Sequence, residues 1–376
     1  MAKPAKIAVI GGGISGLATA VYLKKYASDR SIEIELQLIE KSDRLGGVIA
    51  TEKEDGFTLE RGPEGWASYK PAAKKLIQDF DLGSLIAGSK DENRKNFVVR
   101  DGKLTALPDG MTFFAPVEPI AFWRTAPLSL YGKFRSSLEP FISRSSGDIS
   151  VQQFFQRRLG KEFTDELVEP LITAILGGNY ERLSTQCVLP ELYRVEQRTG
   201  SLWKGLRRFA KLTLSTSVLH TMAEGMSELP NMLARLLDEN EYQLNSGEVK
   251  VLPNSKRHHL VSRDVEEIFD FVVLCTPASA ASRILGPEYS GIIKLLDEVS
   301  YTSSTLIYLA YDRNTFNHPL NGFGFLVPRR EALSFDACTW VNKKFDGRVP
   351  SNRVLIRAAA HNKNRLREFE SEEQLI

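Results

Sequence analysis

Cysteine is scarce in this chain of 376 residues: Cys187, Cys275 and Cys338 are all there is. Three widely separated thiols build no disulfide framework and fit a reducing compartment, so residence in the cytoplasm is expected. Histidine is equally sparse. His220, His258, His259, His318 and His361 make no pattern with cysteine or carboxylates at metal-ligand spacing, and no metal site is expected. Charge of one sign is also lacking. Lys plus Arg number 49 against 47 Asp plus Glu, a net +2 that excludes a general nucleic-acid footprint and leaves only local basic patches. Long apolar runs are missing too. The opening run is cut after Ile10 by Gly11-Gly12-Gly13, which suits neither a signal-peptide core nor a membrane span of roughly 18 residues. The length allows two or three compact modules with a sizeable core.

The glycines have a different use. Lys6 to Ile10 reads as a short buried strand and the stretch through Lys25 as a helix, with Gly11, Gly12, Gly13, Ile14, Ser15 and Gly16 between them in GxGxxG order. In such a strand, turn and helix, the first glycine permits the tight turn and Gly13 lets backbone approach a pyrophosphate. Gly16 lets helix and strand pack closely, and the helix N-terminus faces the phosphates. A second strand, Ile32 to Ile39, ends in Glu40, near the spacing at which a carboxylate takes ribose hydroxyls.

Directly after Glu40 comes KSDRLGGVIATEKEDGFTLERGPEGW. Lys41 and Arg44 bring positive charge to the strand end, Gly46-Gly47 offers backbone approach, and Gly62-Pro63 adds small residues at the same edge. This segment resembles the second glycine doublet of the flavin-containing amine oxidase and protoporphyrinogen oxidase superfamily, where it wraps along FAD. The resemblance implies FAD as the cofactor and a Rossmann-like FAD-binding domain in an α/β chain.

The middle of the chain differs. From about 110 to 210 the spacing is helical, with Leu130, Phe134 and Leu138 at i, i+4 and i+8, and a helical insertion is expected. Within it, PIAFWRTAPLSLYGKFRSSLEPF mixes Trp123, Tyr131 and Phe134 with Arg124, Lys133 and Arg135. Two readings stay open: a peripheral membrane-interface face, or a core-facing helix with a solvated basic rim. Further on, Ser227 to Leu237 reads as a helix and Glu248 to Leu252 as a strand. Phe271 to Leu274 is a continuous apolar run of the kind parallel strands show, so the chain returns there to the first domain. Cys275 reads as a small buried hydrophobe. Family resemblance sets Val249 in the adenine region and the Thr276-Pro277 pair beside the flavin.

Ser303 to Tyr311, Gly322 to Val327 and Arg353 to Ala359 suggest an antiparallel sheet in a second, mixed α+β substrate domain. The segments FVVRDGKLTALPDG, ILGGNYERLS and NGFGFLVPRRE resemble those of oxygen-dependent protoporphyrinogen and coproporphyrinogen oxidases. That resemblance implies oxidation of a porphyrinogen, a tetrapyrrole with carboxylate arms, by FAD with oxygen as acceptor. It places Phe323 and Leu326 against the macrocycle. Asn96 stands where the family commonly has a basic residue for propionates, with Lys95 and Arg94 one and two positions back, and Ala174 stands where glycine is usual. No catalytic side chain is assigned, because the flavin takes the hydride and the protein orients and shields. The implied layout is 1–65 FAD domain, 66–109 substrate domain, 110–210 helical insertion, 211–290 FAD domain and 291–376 substrate domain. Ser371-Glu372-Glu373-Gln374 has the pattern of a helix capping box with only Leu375 and Ile376 beyond it. The resemblance also implies a further C-terminal segment that closes over the flavin, and that segment is expected to be absent, leaving flavin weakly held and turnover poor. The competing functions are a flavin amine oxidase with another substrate and a non-catalytic FAD- or porphyrin-binding form.

Overall fold

The computed structural model describes residues 3–361 apart from 69, 109–110, 113–114, 117, 126, 178, 214–216 and 263–265, so the expected helix start at Ser371 lies outside the described residues. The chain forms two units, Met1–Ala87 with Leu219–Tyr301, and Gly88–Val218 with the chain from Thr302.

In the first unit four parallel strands lie in the order Tyr242–Gln243, Ile34–Ile39, Ala5–Ile10, Phe271–Leu274. Alternate side chains of the first strand serve two different cores, as a strand covered on both faces requires. Ile7 and Val9 pack with Leu17, Leu38 and Leu233 beneath the helices Ile14–Asp29 and Glu228–Ala234. Ala8 and Ile10 pack with Leu260 and Phe269 of an antiparallel meander, Lys250–Asn254, Arg257–Val261 and Glu266–Phe269. This is the expected α/β arrangement. Phe271–Leu274 divides in the same way, Val273 facing the helices and Val272 and Leu274 the meander. The first helix runs one turn past Lys25, to Asp29.

Three boundaries differ from the expected layout. The crossing falls at 87–88 rather than 65–66, because Trp66–Ala67 pairs with Leu219–His220 and the helix Pro71–Asp79 buries Leu76 and Ile77 in the first unit. The return falls at 218–219 rather than 210–211 for the same reason. The last crossing falls at 301–302 rather than 290–291, since the helix Ser290–Asp297 packs on the helix Ala278–Ile284.

The second unit holds a six-stranded sheet in the order Thr305–Asp312, Arg353–Ala360, Ala337–Trp340, Gly324–Leu326, Asn96–Arg100, Lys103–Ala106. It is mixed rather than antiparallel throughout, because Gly324–Leu326 and Asn96–Val98 run parallel. The helical stretch is no separate unit. Its Phe122, Phe154, Phe163 and Ile172 share one core with Val98 and Leu107 of the sheet region, and Leu326 packs on it.

One helix of this stretch is turned outward. Leu130–Ser137 is capped by the Ser129 hydroxyl and buries Gly132 and Ser136, whose hydroxyl donates to the Leu159 carbonyl at 2.7 Å. Arg135 donates to the carbonyls of Arg157 at 2.6 Å and Arg158 at 3.1 Å, at the end of the helix Val151–Leu159. The stripe Leu130, Phe134 and Leu138 is exposed instead. The core-facing alternative for this stripe is overturned, because the small and polar face is the one that fits against the neighbouring helix end.

Candidate functional site

The first unit gathers the expected dinucleotide residues at the C-terminal end of its parallel strands, where such sheets bind ligands. Gly11 takes φ +109°, and a Cβ there would lie 2.8 Å from the Cys275 carbonyl oxygen, so the turn admits only glycine. A Cβ on Gly16 would lie 1.8 Å from the Gly11 carbonyl oxygen. Gly13 is different. It has φ −70°, and the nearest atom to an added Cβ is Gly47 Cα at 3.9 Å, so the space is open rather than filled by protein. The first intrahelical bond runs from the Leu17 amide to the Gly13 carbonyl at 3.0 Å. The amides of Ile14, Ser15 and Gly16 precede that bond and have no acceptor inside the helix, while Gly13 supplies no capping side chain.

Glu40 closes this end of the site. Its Oε2 accepts the Gly12 amide at 2.6 Å, and its Oε1 accepts the Ser42 amide at 2.9 Å and hydroxyl at 2.7 Å. Burial works to raise the Glu40 pKa, but the bonds from Ser42 and Gly12, with the charge of Lys41, outweigh it and hold the carboxyl below its ordinary value. Oε1 has both lone pairs occupied, so Oε2 keeps the one place for a ribose hydroxyl. Beside it, the Gly46 amide donates to the Gly12 carbonyl at 2.8 Å, and Gly13 and Gly46 form a parallel bridge. The two glycine motifs are thus one surface.

Arg44 braces the loop from within. Its guanidinium donates to the carbonyls of Gly47 at 2.6 Å, Ile49 at 3.2 Å and Leu45 at 3.3 Å, bracing the loop that carries the doublet. Lys41 is exposed at the strand end. Gly62 packs under the same loop, a Cβ there falling 2.1 Å from the Val48 carbonyl oxygen, and Pro63 follows at the surface. Val249 is buried against Ile10 and Ile39, the residues that end the two central strands.

Sequence reasoning missed the clamp behind this loop. Glu60 accepts the Thr51 hydroxyl at 2.7 Å and the Met226 amide at 2.9 Å, while Thr51 and Ser227 exchange bonds of 2.7 and 2.9 Å. No local pattern announces a bond between residues so distant in the chain. Two buried hydroxyls, Ser246 Oγ and Thr276 Oγ1, have no hydrogen-bond partner among the described residues. Ser246 lies beside Glu40, its amide donating to the Glu40 carbonyl at 3.1 Å. Thr276 borders an apolar cavity of about 510 Å³ with Val272, Leu274 and Ala278. Open space at Gly13, helix amides without acceptors, a carboxylate with one free lone pair and unpartnered hydroxyls together fit an adenine dinucleotide.

In the second unit the expected substrate residues come together on the central sheet. Gly324, Phe325 and Leu326 stand opposite Asn96, Phe97 and Val98, and the Phe323 amide donates to the Lys95 carbonyl at 2.8 Å. Ala174 is half-buried on the helix Glu169–Leu176, which packs against Gly324–Leu326. Phe323 is buried, and Leu326, half-buried, rests on the helical core. Arg94 and Lys95 are exposed, Lys95 Nζ lying 5.5 Å from the Phe97 ring centroid. Arg329 and Arg330 are occupied otherwise. Arg329 pairs with Glu169 at 3.1 Å, and Arg330 pairs with Glu166. Among the described residues no cluster of His, Cys, Asp and Glu is suited to a metal ion.

The family model for flavin-containing amine oxidoreductases matches residues 14–376. Coproporphyrinogen III oxidase of Bacillus subtilis is 30% identical, over 94% of this chain and 76% of its own length. The Staphylococcus aureus enzyme of that name is 28% identical, over 94% and 77%. Protoporphyrinogen oxidase 2 of Arabidopsis thaliana is 24% identical, over 87% and 68%. A solved protein of Exiguobacterium sp. 255-15, assigned by name to the protoporphyrinogen oxidases, superposes with TM-score 0.81 at 25% identity, covering 98% of this chain and 81% of that one. A putrescine oxidase structure at 17% identity and TM-score 0.69 shares the fold. The chain is an oxidoreductase whose cofactor is FAD, and it belongs to the flavin-containing amine oxidoreductases, in the family of the coproporphyrinogen III and protoporphyrinogen oxidases.

Proposed function

We propose that this protein oxidises a porphyrinogen to the porphyrin in haem synthesis, with coproporphyrinogen III as substrate and oxygen as electron acceptor. The observation that carries this reading is the register of Gly324–Leu326 against Asn96–Val98. It joins side by side the two segments, far apart in sequence, that resemble the porphyrinogen oxidases. The names of the relatives point the same way.

FAD, when bound, supplies the two-electron acceptor. The chain's own work is to hold and orient. The amides at the start of Ile14–Asp29 and the open face of Gly13 are suited to the pyrophosphate, and Glu40 Oε2 to a ribose hydroxyl. A porphyrinogen is a broad apolar ring with carboxylate arms, so its site needs apolar walls and a few cations. Arg329 and Arg330 already neutralise Glu169 and Glu166. Arg94 and Lys95 have no carboxylate partner among the described residues and are the cations available to propionates.

The test measures porphyrin fluorescence from coproporphyrinogen III and protoporphyrinogen IX beside amine-dependent peroxide release. A higher kcat/KM for coproporphyrinogen III is expected. Peroxide from amines without porphyrin would make the protein an amine oxidase, and tight FAD or porphyrin binding with neither activity would make it a binding protein.

A further inference from the structure

Resting on the porphyrinogen oxidase reading, we infer that Arg357, in the strand Arg353–Ala360, holds one carboxylate arm of the macrocycle and thereby favours a porphyrinogen with four such arms over one with two. Side chains of residues directly opposite each other in a sheet share a face. The register sets Tyr308, Arg357, Thr339, Gly324 and Asn96 in one row across the sheet. Arg357 and Asn96 therefore stand on the same face, although they lie at opposite ends of the second unit's sequence.

Packing identifies that face. Val354 and Ile356, of the opposite parity to Arg357, enter an apolar core with Phe97, Cys338 and Trp340, so Arg357 is turned to the other side. On that other side Val98 and Leu326, two residues on from Asn96 and Gly324, meet the helical core. The helix Glu169–Leu176 packs against Gly324–Leu326 and ends near the strand of Arg357, a Cβ on Gly177 falling 2.7 Å from the His361 ring. At this helix end Ala174 is half-buried, Ile175 is 62% exposed and Leu176 40%. Arg357, Thr339 and Asn96 are half-buried as well.

The chemistry of the face suits a broad apolar ring with a charged rim. The rows flanking Arg357 bring Ala337 and Ala359 on one side and Ala310 and Leu355 on the other, and every other residue of these three rows is uncharged. Small side chains leave room for a ring, and the guanidinium presents a fork of donors that matches a carboxylate. The other arginine of the strand, Arg353, is paired with Asp312. Arg94 and Lys95 are exposed before the sheet and attract any ring with carboxylate arms. A cation set among uncharged neighbours discriminates instead. Coproporphyrinogen III brings propionates where protoporphyrinogen IX has vinyl groups, and a vinyl group offers a guanidinium no acceptor.

The test compares kcat/KM for the two porphyrinogens, read by porphyrin fluorescence with FAD in excess, in wild type, R357M, R357Q and R357K. R357M and R357Q should each lower the ratio of coproporphyrinogen III to protoporphyrinogen IX about thirtyfold, chiefly through KM for the former. R357K keeps the charge and should stay within about threefold of wild type. Coproporphyrin III binding, followed by quenching of tryptophan fluorescence, should weaken in R357M and R357Q and hold in R357K. An unchanged ratio in R357M and R357Q would overturn the inference, and so would an equal fall for both substrates, since Arg357 would then serve the sheet rather than the carboxylate. Porphyrin from neither substrate in wild type would overturn the porphyrinogen oxidase reading itself, and the role of Arg357 with it.

Discussion

The carboxylate of Glu40 accepts the Gly12 amide at 2.6 Å, so the acidic end of the second strand holds the glycine turn at the end of the first. One side chain serves both the fold and the cofactor. Glu40→Ala removes a charged acceptor of three hydrogen bonds and should weaken FAD binding by about 1.5–3 kcal/mol, checked by titration calorimetry. The lowered pKa of Glu40 gives this contribution a pH signature. It is fully present above the unfolded value near about 4.3 and is lost as pH falls through the lower folded value. Wild type should therefore lose stability faster than Glu40→Ala on acidification below about pH 4.3.

Gly13 and Gly16 separate cofactor binding from folding. Alanine at Gly16 drives its methyl to 1.8 Å from the Gly11 carbonyl oxygen, so helix and strand must part. Alanine at Gly13 meets nothing nearer than 3.9 Å, in a backbone conformation open to any residue. Gly13→Ala should keep the apo melting temperature and lose FAD affinity, because the methyl fills the space a pyrophosphate needs. Gly16→Ala should fold poorly with or without FAD. Equal FAD affinity in Gly13→Ala would remove the phosphate from this turn.

What the sequence made legible was local. The glycine turn and Glu40 are read from spacing alone, since strand, turn and helix are contiguous and the strand end follows closely. Pairings between distant segments were not legible. Trp66–Ala67 finds its partner at Leu219–His220, which moved the boundary between the units, and no periodicity encodes that choice. Arg44 illustrates a second limit: composition gives its charge but not the three loop carbonyls that occupy it. The stripe of Leu130, Phe134 and Leu138 shows a third. Its spacing predicts a helix face correctly, while the direction of that face depends on what the opposite side meets, here the end of Val151–Leu159.

Buried charge stabilises the helical part of the second unit. Arg158 is fully buried, donating to Glu139 at 2.7 Å, to Glu196 at 2.9 Å and to the Ser143 carbonyl at 3.1 Å. Glu139 in turn accepts the Ser201 hydroxyl at 2.6 Å and the Leu202 amide at 2.8 Å, capping the helix Leu202–Thr213. Arg158→Met leaves Glu139 buried without its cation and Glu196 with Arg157 alone, at 3.0 Å, and should cost about 3–5 kcal/mol, read as a fall in the urea midpoint. Adding Glu139→Gln and Glu196→Gln should recover part of the loss. No recovery would show that packing, not charge, sets the cost.

Glu166 contributes in the opposite sense. It sits in the π-helical segment Thr164–Val168, its Oε1 pairs with Arg330, and its buried Oε2 has no partner among the described residues. Burial raises its pKa and the charges of Arg330 and Arg100 only partly offset this, while Glu162 and Asp165 add to the rise. A carboxyl with a raised folded pKa binds its proton more tightly in the native state than in the unfolded chain. Stability from this group is therefore full below the unfolded value near about 4.3 and falls as pH rises through the folded value. Glu166→Gln keeps an oxygen for Arg330 and removes the titration. Urea unfolding across this range should show the variant gaining on wild type as pH rises, with the gap constant above the folded pKa. Parallel pH profiles, or a variant that loses ground at high pH, would mean that the Arg330 pairing outweighs the burial of the charge.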